Sequence, residues 1–303
     1  MQLTPRKKWF RKLLFFTGGL FAAYVAFCVY MAFHILNPRR VVPERPKDLV
    51  VWEPVPKVRA WVTPAVAQGT AKNLFIFSHG LKANRAFFQT TAEALVKRGY
   101  DVLLLPMPGH DSNPEQYLGF GPKEAKLIKD TIDAVKAEHI VLVGCSLGGA
   151  ATWLASDHPR VDGVVTESAY SHLEPITHIW LNRAFQGGDI VFRPVIWIVS
   201  AKMGLNPADI NPADTAAKWD HRKPALVIHA GADKLIPLAQ GRELAQVSGA
   251  EYWECPLKEH SDCQEVDGYV DRVESVMKKV LIRFGSHRSG NLLKQYENYP
   301  TGR

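Results

Sequence analysis

The sequence predicts an α/β fold: a mostly parallel central sheet flanked by helices, with a small helical cap, preceded by one transmembrane helix. Three observations predict it. Short apolar, β-branched runs alternate with helical patterns through most of the chain. Residues 171–222 break that alternation with an aromatic-rich helical stretch, and an uncharged apolar run occupies the N-terminal region.

From Leu13 to Asn37 no Asp, Glu, Lys or Arg occurs. A spanning helix needs about 20 apolar residues, each rising ~1.5 Å. A cleaved signal peptide has an apolar core of only ~7–15 residues before a small-x-small site. This run is too long for that, and Phe27 before Cys28 is too bulky for a lipoprotein-type site. Residues 13–36 therefore read as an uncleaved transmembrane anchor behind a basic flank at 1–12. Pro38, Pro43, Pro46, Pro54 and Pro56 make residues 37–57 a stiff spacer.

Charge follows the same division. Residues 1–48 hold nine basic and two acidic side chains, an excess equal to the whole formal charge of +7, so residues 49–303 are formally neutral. Basicity thus flanks the apolar run and does not form a phosphate-binding face, which excludes nucleic acid as a partner. Five basic residues precede the run and Arg39, Arg40, Arg45 and Lys47 follow it. The positive-inside rule favours a cytoplasmic N-terminus and an extracytoplasmic domain.

The domain itself reads as residues 58–284. Residues 49–65 supply an antiparallel edge, with Val58–Val62 as its strand. Asn73–Phe77 is a buried strand, and Asn84–Lys97 a helix capped by Asn84. Tyr100–Leu105 is the next strand, before a loop rich in Pro and Gly. A helix over Pro122–Ala137 leads into the strand His139–Val143, then Leu147–Ser156 is helical and Val161–Thr166 extended. Residues 171–222 form the cap, whose Trp180, Phe185, Phe192 and Trp197 either line an acyl pocket, touch a membrane or build a small core. Strands Pro224–His229 and Glu251–Cys255 enclose a helix near Leu238–Val247. Asp267–Phe284 is an amphipathic closing helix, and 285–303 a polar tail. Four cysteines (Cys28, Cys145, Cys255 and Cys263) are too few for a disulfide scaffold and lack metal-ligand spacing. Cys255 and Cys263 are left open between a pair and two free thiols.

Chemistry concentrates at Gly144-Cys145-Ser146-Leu147-Gly148-Gly149, between a strand and an Ala-rich helix. There a G-x-S-x-G turn leaves no room for side chains at Gly144 and Gly148 and projects the serine hydroxyl upward. The following helix N-terminus points free N–H groups at the same spot. A serine hydroxyl needs a base, oriented by a carboxylate, to become a nucleophile at neutral pH. Asp233, beyond the strand Ala225–His229, is the candidate carboxylate. His260, beyond the strand Glu251–Cys255, is the candidate base. Among the rivals, His229 falls inside a strand, His110 and His158 precede the acid, and His287 lies in the tail. Glu167 is the rival acid, or else a cap-anchoring residue. Backbone N–H groups of Leu147 and Leu81 are the candidate oxyanion donors, Gly80 allowing the loop to turn and His79 bracing it.

These residues resemble the serine-hydrolase branch of the α/β-hydrolase superfamily over roughly residues 58–284. They look closest to membrane-anchored Bem46-like hydrolases, related to serine-aminopeptidase-type domains. The resemblance is carried by His79-Gly80 with Asn84, the turn around Ser146, the run HAGAD ending at Asp233 and the run EHSD containing His260. It implies ester, thioester or amide hydrolysis with no cofactor and no metal, on a small-molecule acyl substrate that the tether and aromatic cap make lipophilic. Many relatives carry D-x-R-G-x-G-x-S where this chain has Pro106-Met107-Pro108-Gly109-His110-Asp111-Ser112-Asn113. That departure puts loop support and pocket shape in question. Two other readings stay open. One is an aminopeptidase-like amidase, gripping a free α-amino group through Glu167 or Asp111. The other is a catalytically idle, membrane-tethered binding domain.

Overall fold

The computed structural model describes residues 5–285. The first four residues of the basic flank and the tail from 286 on, His287 included, lie outside the described residues.

Helix α1 (Pro5–Leu36) passes through the proline spacer into a hairpin, β1 (Val50–Val55) and β2 (Val58–Val62). After α2 (Pro64–Gln68) come β3 (Ala71–Ser78), α3 (Gln89–Lys97), β4 (Asp101–Leu105), α4 (Pro122–Ala134) and β5 (Ala137–Cys145). Then follow α5 (Leu147–Ala155), β6 (Gly163–Glu167), α6 (Leu173–Phe185), α7 (Asp189–Met203), α8 (Pro212–Ala216) and β7 (Ala225–Ala230). The chain closes with α9 (Leu238–Ser248), β8 (Glu251–Cys255) and α10 (Tyr269–Arg283). The eight strands form one sheet in the order β1-β2-β4-β3-β5-β6-β7-β8. Strand β2 runs antiparallel to both neighbours, and from β4 onward every pairing is parallel. The antiparallel edge therefore holds two strands where the sequence marked one.

Period-two alternation in the central strands feeds two apolar layers. Leu74 and Ile76 of β3 pack on one face with Ile128, Ile132 and Trp153. Phe75 and Phe77 face the other way, against Phe88, Leu95, Val273 and Met277. Both faces are covered, which is why these strands read as continuous apolar runs. Most boundaries move from expectation by one or two residues, and two move further. The helix expected from Asn84 begins as a 3-10 turn over Arg85–Phe88, with the Asn84 side chain accepting from the Ala86 N–H at 3.0 Å. Helix α4 stops at Ala134, short of Ala137, because Val135 is extended and Ala137 pairs with Ala71 in the sheet.

A third apolar cluster lies outside the sheet layers and joins the cap to α1. Cys28, Ala32 and Leu36, spaced by four, are buried with Ile176, Leu181, Val195 and Val199 of α6 and α7. The rest of α1 is uncovered, with Phe15 73% and Phe21 67% exposed. Trp9–Leu36 is the one helix among the described residues that is long and apolar enough to cross a membrane.

Candidate active site

A tight turn with no intervening loop beyond Ser146 joins β5, in the middle of the sheet, to α5. Ser146 sits there at φ 53° and ψ −119°, a region that costs an L-residue about 1–3 kcal/mol unless its surroundings hold it. They do. The Ser146 N–H donates to the Glu167 carbonyl at 2.8 Å, and the Ala150 N–H to the Ser146 carbonyl at 2.9 Å. A Cβ on Gly144 would lie 2.4 Å from the Gly148 carbonyl oxygen, and one on Gly148 only 2.1 Å from that of Ser78. Backbone meets backbone at both positions, so both must be glycine.

Two strands away the loop after β7 carries Asp233, and three strands away the loop after β8 carries His260. The structure brings them to Ser146. His260 Nδ1–H donates to Asp233 Oδ2 at 2.6 Å, which leaves Nε2 to accept the Ser146 hydroxyl at 2.9 Å. Asp233 Oδ1 accepts from the N–H groups of Leu235 and Ile236 at 2.8 and 2.9 Å. Burial pushes this carboxyl's pKa up, but the hydrogen bond and charge of His260, helped by both amides, outweigh it and hold the pKa below the ordinary value. Beneath the carboxylate, His229 is fully buried and gives its Nε2–H to the Ile236 carbonyl at 3.0 Å. Burial lowers its pKa, so this histidine is neutral packing under the site.

The loop after β3 closes the other side of the serine. A Cβ on Gly80 would stand 3.0 Å from Ser146 Cβ and 3.7 Å from its Oγ, so the Gly80 backbone packs directly against the serine side chain. His79 is buried behind it, its Nδ1–H donating to the Gly80 carbonyl at 2.9 Å and its Nε2 accepting from the Met107 N–H at 3.2 Å. Burial first, then the neighbouring His110, drive its pKa down to about 3. It ties two loops and carries no charge.

The departing segment 106–113 has its own supports. His110 meets the His79 ring edge-on at 5.0 Å, accepts from the Lys82 N–H at 3.0 Å and donates to the Pro108 carbonyl at 2.8 Å. The Asn113 amide donates to the Pro106 carbonyl at 2.6 Å. Asp111 forms a buried two-pronged pair with Arg85 at 2.6 and 2.7 Å, while Arg85 lies over the Trp61 ring at 4.8 Å. Sequence inspection marked Asp111 as a lost glycine and missed Arg85 entirely. A lone arginine next to an expected N-cap gives no local signal of a partner 26 residues away.

Glu167, at the end of β6, is 1% exposed. It binds neither His260 nor the cap. Its carboxyl accepts from the Cys263 N–H at 3.0 Å and the Tyr269 hydroxyl at 2.9 Å, which fastens the segment just after His260 to the sheet. Burial raises its pKa to about 7, against the opposing pull of those two donors. Cys145 adds a thiol contact to Ser261 at 3.1 Å. All four cysteines are buried free thiols. Hydrogen bonding with Cys255, and then burial, push the Cys263 pKa up.

A cavity of about 890 Å³ opens above Ser146 and His260 and is walled by Leu81, Phe120, Leu181, Val199 and Ile236. A second depression of about 620 Å³, between the spacer and α3, contains none of these groups. No group of three or more metal-ligating side chains is found among the described residues.

The strand order, the turn at the end of β5 and the loops after β7 and β8 define the α/β-hydrolase fold. Comparisons with known proteins agree. A family model described as the alpha/beta hydrolase fold matches residues 73–188. Among curated proteins none matches the sequence. An esterase from Pyrococcus furiosus is similar at 20% identity and TM-score 0.64, over 82% of this chain and 98% of that one. A hydrolase from Pseudomonas aeruginosa is similar at 16% identity and TM-score 0.54, over 80% and 100%. The enol-lactonase from Burkholderia xenovorans gives 18% identity and TM-score 0.55, over 76% and 100%. At such identities the likeness is one of fold, and function has to be argued from the site.

Proposed function

We propose that the protein is a membrane-anchored serine hydrolase that cleaves a carboxylic ester or thioester through an acyl-enzyme. The observation that carries this reading is the unbroken pair of hydrogen bonds from Asp233 through His260 to Ser146, at 2.6 and 2.9 Å. Ser146 Oγ attacks the acyl carbon while His260 Nε2 takes its proton, and Asp233 holds the imidazole in that tautomer. Amides of Leu147, the first residue of α5, whose N–H has no partner within the helix, and of Leu81, in the loop after β3, receive the oxyanion. His260 then protonates the leaving group and activates the water that frees the acid. The chemistry needs no cofactor and no metal.

Several features support the setting. Two structural neighbours are named for ester chemistry, an esterase and an enol-lactonase. Helix α1 leaves Leu14, Phe15, Phe16, Leu20 and Phe21 exposed along one continuous apolar stretch, the kind of surface that marks a membrane or protein contact. This favours the narrower resemblance to membrane-anchored hydrolases; the extracytoplasmic placement rests only on the basic residues that flank the helix. The largely apolar cavity suits a lipophilic acyl group of short or medium length. The amidase reading fares worse: Asp111 is held by Arg85, and Glu167 by Cys263 and Tyr269, so neither is free to grip an α-amino group.

Ser146→Ala should lose nearly all esterase turnover, leaving only what binding and the oxyanion donors supply, and should no longer label with a fluorophosphonate probe. Undiminished turnover in that variant would refute the assignment. A wild type that fails to label would favour the idle binding domain.

A further inference from the structure

The cavity above Ser146 is not enclosed by the catalytic domain alone. One wall belongs to α1, through Met31, His34 and Ile35, and continues into Pro38 and Arg39 of the spacer. The C-terminal part of the same helix, from Tyr24 to Leu36, is fixed to the cap. Cys28, Ala32 and Leu36 are buried against it, Phe27 meets Phe185 and Phe192 edge-on at 6.0 and 5.7 Å, and the Tyr24 hydroxyl donates to the Val191 carbonyl. The Leu118 N–H donates to the Leu36 carbonyl at 3.3 Å, tying the end of α1 to the domain. A helix serving only as a tether needs none of these contacts.

We propose that the anchor helix is itself part of the substrate site. The acyl chain of a membrane-resident ester or thioester lies between α1 and the cap, and its leaving group is anionic. This rests on the serine-hydrolase reading and adds the identity of the substrate.

The membrane side of the proposal follows from continuity. Helix α7 exposes Ile190, Val191 and Trp197, at 72%, 56% and 66%, beside the uncovered face of α1. One lipid surface covers both, and an acyl chain between α1 and the cap therefore starts next to the bilayer. The charge follows from the lining. Arg39, Lys82 and Arg183, with His34, carry every charge-bearing position of the cavity apart from His260, and no carboxylate lines it among the described residues. A polar group too hydrophilic for the apolar depth stays at this basic rim, and an anion is favoured there. At about 890 Å³ the cavity is near the upper end of the range for ligand pockets, ample for a medium acyl chain.

The test uses the full chain reconstituted in vesicles. Met31→Trp and Ile35→Trp each push an indole into the wall. Each should lower the ratio of dodecanoyl-ester to butyryl-ester turnover by about tenfold or more. Leu20→Trp, on the same helix but away from the cavity, should keep the wild-type ratio. Fluorophosphonate labelling of Ser146 reports that each variant is folded. Labelled Met31→Trp and Ile35→Trp proteins with a wild-type ratio overturn the proposal. Wild type should also cleave a lysophosphatidylglycerol in vesicles about tenfold faster than its phosphatidylcholine counterpart, an advantage that Arg39→Glu with Lys82→Glu removes. Equal rates on the two lipids overturn the anionic leaving group. Preference for soluble dodecanoyl-coenzyme A over the vesicle lipid overturns the bilayer as its source. A wild type that neither labels nor cleaves butyryl esters removes the hydrolase reading itself, and this one with it.

Discussion

Strands β6 and β7 are neighbours, and each leads to a buried carboxylate, Glu167 as the last residue of β6 and Asp233 just beyond β7, put to a different use. Asp233 accepts from two amides and from the imidazole of His260, and against burial the hydrogen bond and then the charge of His260 hold its pKa below the ordinary value. Glu167 accepts from one amide and one neutral phenol, and burial drives its pKa to about 7. Burial alone therefore does not decide a carboxylate's state; the number and kind of its donors decide with it. In the proposed mechanism Asp233 orients a base, and Glu167 fastens the chain segment that follows that base to the sheet. Asp111 gives a third case, where a full guanidinium charge within 2.6 Å balances a carboxylate that is completely enclosed.

The comparison can be broken most directly at Asp233. Asp233→Asn keeps the shape but lets His260 adopt the other tautomer, and kcat should fall on the order of 10⁴-fold with KM little changed. A loss of less than about tenfold would show that this carboxylate does not orient the imidazole. Removing the charge that balances the third carboxylate comes next. Arg85→Leu strands Asp111 in an apolar site and should cost about 3–5 kcal/mol in denaturant unfolding. Neutral stability would mean that the pair contributes nothing beyond packing.

The smallest effect belongs to Glu167 and sharpens the contrast through pH. Its folded-state pKa lies above the unfolded one, so its contribution is fully present below the ordinary carboxylate range and is lost as pH rises towards about 7. From about pH 5 to about pH 8 the wild type should lose on the order of 3 kcal/mol from this group. Glu167→Gln should unfold without that component while retaining most of its turnover. Identical pH slopes for the two proteins would mean that the buried carboxyl is not protonated near neutrality. Asp233 has the opposite sign: its depressed pKa stabilises the fold at neutral pH, and that stability is lost only in acid.

Much of the sheet side of the site was legible in sequence because its signals are local. Apolar runs marked the central strands, and residues of the right chemistry followed three of them, at 146, 233 and 260. Glycine at 144 and 148 was legible too, since only a side-chain-free backbone makes that turn. Glu167 was visible as a strand-end acid, but not its function. Its two donors lie 96 and 102 residues further along, in a segment whose sequence shows no pattern that points back to it. The same holds for the Arg85–Asp111 pair and for His110, each of which is an unremarkable polar residue until a distant loop folds against it.

By itself the sequence determined the fold class, the order of the elements, a serine on a strand-to-helix turn, and an apolar helix long enough to span a bilayer. Short-range periodicity and turn chemistry suffice for these, because each is decided within a few neighbouring residues. Only the tertiary structure decided which acid faces which donor, and that the end of α1 walls the cavity above Ser146. Such facts depend on the distances and desolvation created when remote segments pack together, and no stretch of sequence encodes them alone.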